Sequence, residues 1–139
     1  MAPEGEKIVS TGSWAPKADL EALPFIDRDL TQWRLYGEKF YKHPPFTYTM
    51  AGRDCPYGRC RFCSWTTLYP QFSVRSPENL LDEIGQLIER YGVREIFDDT
   101  GTFPGGAWLR RFCEGMIERG YHRKILFSCN FRFDYMRPD

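Results

Sequence analysis

The chain has 139 residues, enough for about one domain. Its 19 basic and 19 acidic side chains cancel, which excludes a strong overall field toward nucleic acid or an anionic membrane. No apolar run approaches the ~20 residues that span a bilayer, and the first residues lack a secretory signal pattern. We therefore expect a cytoplasmic protein, in which five cysteines, an odd number, favour metal ligands or free thiols over disulfides.

The first 45 residues show no sustained hydrophobic period, and they are interrupted by Pro24, Pro44 and Pro45. We interpret residues 1–45 as an irregular linker with one short helix near residues 31–41. A regular pattern begins at residue 46, so residues 46–139 are predicted to form the folded unit.

Within that unit, runs of β-branched and aromatic residues alternate with stretches of helical period. Ser76 and Gly92 are residue types that begin and end helices, and they bracket the first helical stretch. The alternation predicts an α/β fold with a parallel βαβαβ sheet and right-handed crossovers. The predicted elements are strands at 46–50, 94–97 and 124–131 and helices at 77–91 and 104–119.

Two further expectations concern side chains in these elements. Cys113 and Cys129 fall on a predicted helix and a predicted strand, so we interpret them as small buried side chains rather than ligands. The buried face of the second helix is predicted to comprise Trp108, Leu109, Phe112, Met116 and Ile117.

A group of three cysteines follows the first predicted strand, with the spacing C-x4-C-x2-C at Cys55, Cys60 and Cys63. A structural zinc site would need a second matching pair of ligands. A two-iron ferredoxin centre shares the spacing but needs a fourth cysteine. A four-iron cluster held by three thiolates has one iron open to another ligand, and a loop after a strand of a βα series favours this third interpretation. Electron transfer by an iron–sulfur module and structural zinc binding stay open as alternatives.

The loop from Cys55 to Trp65 resembles the cluster loop of radical S-adenosylmethionine (SAM) enzymes. It has one residue more between the first two cysteines than the commonest family spacing, C-x3-C-x2-C. The cobalamin-associated branch is the most similar. A motif like residues 23–30 commonly precedes the barrel in that branch, and a motif like residues 96–99 ends its second strand. The resemblance covers about residues 20–139, and it implies the N-terminal half of a partial, TIM-like (βα)6 barrel after a linker.

The resemblance also implies a chemistry. Cys55, Cys60 and Cys63 would hold a [4Fe–4S] cluster whose fourth iron binds SAM. Reductive cleavage of SAM would give methionine and a 5′-deoxyadenosyl radical that takes hydrogen from a small-molecule substrate of unknown identity. The implied partner is an electron donor such as flavodoxin or ferredoxin, and the implied further cofactor is cobalamin, held by a domain beyond these residues.

Five other residues are implied in cofactor binding. Phe62 matches an aromatic position near the adenine of SAM, although ordinary loop packing also explains it. Asp98 and Asp99 end the second strand where the family contacts SAM, and they suit a turn or helix cap equally well. Asn130 and Arg132 share one strand face by alternation and are expected to reach SAM or substrate, with a surface salt bridge as the alternative for Arg132.

Overall fold

The structure, a computed structural model, describes residues 19–36, 41–69 and 71–135. Strands and helices alternate along these ranges, and none of the helices described there is long and apolar enough to cross a membrane. The elements are β1 (Phe46–Thr49), β2 (Gly52–Arg53), α1 (Trp65–Leu68), β3 (Ser73–Val74), α2 (Pro77–Tyr91), β4 (Glu95–Asp98), α3 (Gly106–Glu118) and β5 (Leu126–Cys129).

Three parallel strands form the central sheet in the order β1-β4-β5. Their carboxyl ends are level, because Thr49 pairs with Asp98 and Asp98 pairs with Cys129. The connection from β1 to β4 contains α2, and the connection from β4 to β5 contains α3. The predicted parallel α/β fold is therefore confirmed, and it is consistent with part of a βα barrel.

Local sequence determines where α2 begins and ends. The Ser76 hydroxyl accepts a hydrogen bond from the backbone N–H of Asn79 at 3.1 Å, and Pro77 occupies the first helical position, where no N–H is needed. Gly92 ends the helix in the left-handed region, with φ of 65°. These bounds match the predicted ones.

The core lies between the two long helices and one face of the sheet. Ile96 in β4 is fully buried on that face, and Phe127 in β5 packs against it from the next strand. Phe103 and Phe112 contact the Phe127 ring, with centroids 5.5 and 5.2 Å away. The opposite face carries Tyr48, which is partly exposed, so the sheet is covered by helices on one side.

The buried face of α3 matches its prediction at four of five positions, because Phe112 and Met116 are buried and Trp108 and Leu109 pack against the core. Ile117 is 63% exposed rather than buried, and Cys113 is exposed as well. The reason is Gly115, which faces Leu81 of α2 and lets that side chain approach closely. The contact centres the buried stripe on Phe112, Gly115 and Met116, and it turns the neighbouring row toward solvent.

Two predicted elements differ most from their expected bounds. The third parallel strand covers 126–129 rather than 124–131, because the backbone N–H of Lys124 bonds to Tyr121 in a 3₁₀ turn. In place of the predicted helix near 31–41, the described part contains a 3₁₀ turn at Trp33–Tyr36, and residues 37–40 lie outside the described ranges. The antiparallel pair β2–β3 is an addition that the sequence analysis did not predict.

Residues 19–36 contact the folded unit at several points, and Arg28 supplies the buried polar contact among them. Its guanidinium donates to the Thr47 hydroxyl at 2.8 Å and to the Tyr48 carbonyl at 2.7 Å, both in β1. It also pairs with Glu83 of α2 at 3.3 Å, and Glu83 pairs in turn with Arg75 at 2.5 Å. This segment is therefore fixed by polar contacts, and the predicted division of the chain at residue 45 stays a prediction.

Candidate functional site

The cysteine loop is closed at its base by the β2–β3 pair. Gly52 pairs with Val74 and Arg53 pairs with Ser73, so the chain leaves the sheet at residue 54 and returns at residue 72. The Arg75 N–H donates to the Ala51 carbonyl at 3.0 Å and continues this pairing. Both ends of the loop are thus held at the carboxyl end of β1, which is the end where parallel α/β proteins place their sites.

One cavity of about 300 Å³ lies between this loop and the ends of the other two parallel strands. Residues from three separate chain segments therefore meet around one space. The first segment supplies Cys55, Gly58, Arg59, Cys60, Phe62, Cys63 and Trp65, the second Asp99, Gly101 and Thr102, and the third Asn130 and Arg132.

The segment that follows β4 supports the start of the cysteine loop. Asp98 accepts hydrogen bonds from the Ala51 N–H at 2.8 Å and from the Thr49 hydroxyl at 3.0 Å. Thr100 accepts one from the Gly52 N–H at 3.0 Å. Because these acceptors are themselves fully buried, they fix the path of the chain between β1 and the first cysteine.

The contacts then reach Cys55 itself. The Cys55 sulfur lies 3.0 Å from the Thr102 hydroxyl oxygen, and that hydroxyl also donates to the Gly101 carbonyl at 2.9 Å. A Cβ at Gly101 would lie only 3.0 Å from the Asp54 carbonyl oxygen and 3.3 Å from Cys55 Cβ, so glycine allows this close approach without displacing its neighbours. The loop after β4 is therefore packed directly against the first cysteine.

The two aspartates at the end of β4 have different positions. Asp98 is fully buried and does not line the cavity, whereas the half-buried Asp99 does. Asp98 shares the helix-side face of the sheet with Ile96, and the alternation of strand side chains separates it from the opposite face. Burial raises the pKa of Asp98 above its usual range, and hydrogen bonds from Thr100, Thr49 and Ala51 oppose the rise.

The other three predicted cofactor residues also line the cavity. Phe62 is 92% exposed at its rim. The Asn130 side-chain N–H donates to the Thr100 carbonyl at 3.3 Å, which holds the end of β5 against the segment after β4. The Arg132 guanidinium stacks over the Tyr57 ring at 4.2 Å and pairs with Asp134 at 2.6 Å, so it connects this strand end to the cysteine loop.

Arg132 forms the salt bridge that was the alternative for it, and it also lines the cavity. Its expected contact with SAM or substrate stays a prediction. Asn130 and Arg132 follow the last strand residue, Cys129, instead of lying within β5. The sequence analysis did not identify three residues of the candidate site, Gly101, Thr102 and Tyr57. The polar run from Asp98 to Thr102 at a strand end was the available signal for Thr102, whereas the Tyr57 contact depends on the path of the loop.

The three thiols suit a cluster with several metal atoms. All three are half-buried, and they line the same cavity. Across the described ranges, no three His, Cys, Asp or Glu residues are close enough together to hold one metal ion. Separate thiols around one space would suit a centre in which each thiolate binds its own iron.

The remaining two cysteines differ from these three. Cys113 is exposed on α3 and Cys129 is half-buried in β5, and neither is among the residues that line the cavity. Burial raises the pKa of the Cys129 thiol to about 11, with smaller contributions from Asp98 and Cys113. A thiol that resists ionisation is a poor metal ligand, so the interpretation of Cys129 as a non-ligand fits its surroundings.

Two curated proteins are similar to almost the whole chain, and both carry the name anaerobic magnesium-protoporphyrin IX monomethyl ester cyclase. The protein from Cereibacter sphaeroides is 30% identical over 142 aligned positions, which cover 98% of this chain and 22% of the relative. The protein from Rubrivivax gelatinosus is 29% identical over 145 positions, covering 99% and 24%. The chain thus spans about a quarter of the length of these relatives.

This similarity supports the resemblance of the chain to radical SAM enzymes at the level of the superfamily. The cobalamin-associated branch stays a prediction from the residues. Both relatives are named as cyclases, and the aligned segment is about a quarter of each. No family model matches the chain, and no solved structure matches it.

Proposed function

We propose that the chain is the part of a radical SAM enzyme that holds a [4Fe–4S] cluster through Cys55, Cys60 and Cys63. Such a cluster, when bound with SAM, supplies the electron that cleaves SAM to methionine and a 5′-deoxyadenosyl radical. The observation that carries the proposal is the shared cavity, which brings three thiols together with polar residues from the ends of β4 and β5.

Within this proposal the residues around the thiols have separate roles. The Asp99 carboxylate suits the SAM amino group, since it is the only carboxylate among the described residues that line the cavity. The guanidinium of Arg132 and the amide of Asn130 suit a carboxylate or a ribose hydroxyl. Asp98 lies behind the loop, where it positions the backbone that leads to Cys55.

The aromatic side chains at the rim would limit access of water. Phe62 projects into solvent beside the thiols, which is where a flat ligand such as adenine could stack on it. Trp65 lines the cavity directly after the third cysteine. Exclusion of water would protect a reactive radical from side reactions.

The proposal includes the partners that the resemblance implies. We expect a low-potential electron donor such as flavodoxin or ferredoxin, a small-molecule substrate and a cytoplasmic location. The segment at residues 23–30 is the basis for expecting cobalamin, and equilibrium dialysis of the chain within its full-length protein against cobalamin would test that expectation.

The decisive experiment is anaerobic reconstitution of the 139-residue chain with iron and sulfide, followed by electron paramagnetic resonance of the reduced protein with and without SAM. We expect a four-iron signal that changes when SAM is added, because only an open iron can bind SAM. Cys60→Ala should abolish the signal. Cys113→Ala is the matched control, since that exposed cysteine does not line the cavity and its loss should leave the signal intact.

Other outcomes would reject the proposal. A two-iron signal that ignores SAM would indicate an electron-transfer module. A colourless protein that binds one zinc ion and no iron would indicate a structural zinc site.

A further inference from the structure

Thr102 is the only hydroxyl side chain among the described residues that line the cavity, and it contacts Cys55. Its oxygen lies 3.0 Å from the Cys55 sulfur, and the residue is 2% exposed. Water therefore has little access to this contact, and the hydroxyl must find its hydrogen-bond partners within the protein.

The hydroxyl has one proton and two neighbours that can accept it. When Cys55 is a neutral thiol, its S–H can donate to Thr102 while the hydroxyl donates to the Gly101 carbonyl at 2.9 Å. A metal-bound thiolate has no proton to donate and is the stronger acceptor. The hydroxyl proton would then turn from the Gly101 carbonyl toward sulfur.

The backbone around Thr102 keeps the hydroxyl at this distance. Gly101 is packed against Asp54 and Cys55 with no space for a side chain, which fixes the residue before Thr102. The N–H of Phe103, the residue after it, donates to the Asn130 carbonyl at 2.8 Å. The threonine is thus held from both sides, and a small rotation of its hydroxyl hydrogen is enough to change partner.

We infer that Thr102 is a positioning residue whose hydroxyl donates a hydrogen bond to the Cys55 thiolate in the cluster-bound protein and thereby raises the reduction potential of the cluster. The inference rests on the proposed function. Adding one electron makes the cluster more negative, so a hydrogen-bond donor at a sulfur ligand stabilises the reduced form more than the oxidised form. The contact also makes Cys55 chemically distinct from a ligand that has no such donor.

The test is a potentiometric titration of the reconstituted 139-residue chain and its Thr102 variants, with the reduced cluster followed by electron paramagnetic resonance. Thr102→Val keeps the shape and removes the hydroxyl. We expect its equilibrium constant for reduction to fall about tenfold, which for a one-electron couple is a potential about 59 mV more negative. Thr102→Ser keeps the hydroxyl and should retain the original potential.

The conservative variant separates hydrogen bonding from packing. If the valine and serine variants change the potential equally, although only the valine variant lacks the hydroxyl, disturbed packing and not the lost hydrogen bond is responsible, and the inference is wrong. If the valine variant has the original potential, the inference is also wrong. Should the valine variant fail to fold, as judged by circular dichroism, Thr102→Ala replaces it in the comparison with serine.

Failure of the proposed function gives a different result. If the unchanged chain takes up no four-iron cluster, the proposed function and this inference fall together. If the cluster forms in every variant with one common potential, the proposed function stands and only the role of Thr102 is rejected.

Discussion

Glu83 lies between two buried arginines, and its replacement by glutamine tests how much this charge contributes to stability. Glu83 is 4% exposed, and its carboxylate pairs with Arg28 at 3.3 Å and with Arg75 at 2.5 Å. Glu83→Gln would leave two buried cations without a counter-charge. Removing one partner from a buried ion pair costs about 3–5 kcal/mol, a large share of the ~5–15 kcal/mol that stabilises a typical domain.

The assay is equilibrium unfolding in urea, followed by circular dichroism. With a slope of about 2 kcal/mol per molar urea, the midpoint should fall by roughly 2 M. The adjacent position supplies the control, because Asp82 forms an exposed ion pair with Arg119 and Asp82→Asn should cost less than about 1 kcal/mol. The reasoning is refuted if the two variants lose the same free energy of unfolding.

Two further predictions use the perturbed pKa values. Burial raises the pKa of Asp98, so the folded chain binds this proton more tightly than the unfolded chain, and the free energy of unfolding should fall as pH rises from the ordinary value of 3.8 through the raised one. Asp98→Asn should remove this dependence of stability on pH, and it should cost about 1–3 kcal/mol because the buried donors lose an acceptor. Urea unfolding across this pH range checks both effects. An unchanged pH dependence in the variant would contradict the assignment to Asp98. The Cys129 thiol, with its pKa raised from 9.0 to about 11, should react with iodoacetamide about 100-fold more slowly at pH 8 in the folded chain than in urea. Peptide mass spectrometry over time measures this ratio, and equal rates in both states would show that the site does not suppress ionisation.

The long elements were predictable because their signals are local. The serine cap, the proline after it and the closing glycine determine α2 within one stretch of sequence, and those bounds are correct. The exposure of Ile117 on α3 was not predictable in the same way, since it depends on Leu81 of another helix entering the space beside Gly115. The two-residue strands β2 and β3 are too short to show any period, so their pairing could not be found from the pattern.

The candidate site likewise combines features that the sequence predicts with features that only the folded chain shows. The cysteine spacing identified the loop, and the strand ends identified where polar residues would gather. Strand alternation requires the adjacent Asp98 and Asp99 to point apart, but only the packed fold shows that Asp98 is the buried one. The contact between Thr102 and Cys55 joins residues 47 positions apart, and a single sequence contains no signal for such a pairing.

The attachment of residues 19–36 by Arg28 has a consequence for how this part of the chain can vary. Several large side chains of the segment are exposed, Leu30 at 83% and Leu35 at 77% among them, whereas Trp33 packs against the core beside Tyr91. Arg28 supplies the buried polar contacts of the segment with β1 and α2. A one-residue shift of Arg28 would break all of these contacts at once and leave buried partners unpaired. Substitutions at the exposed positions around it should cost little, so the position of this arginine is the tightest sequence requirement of the segment.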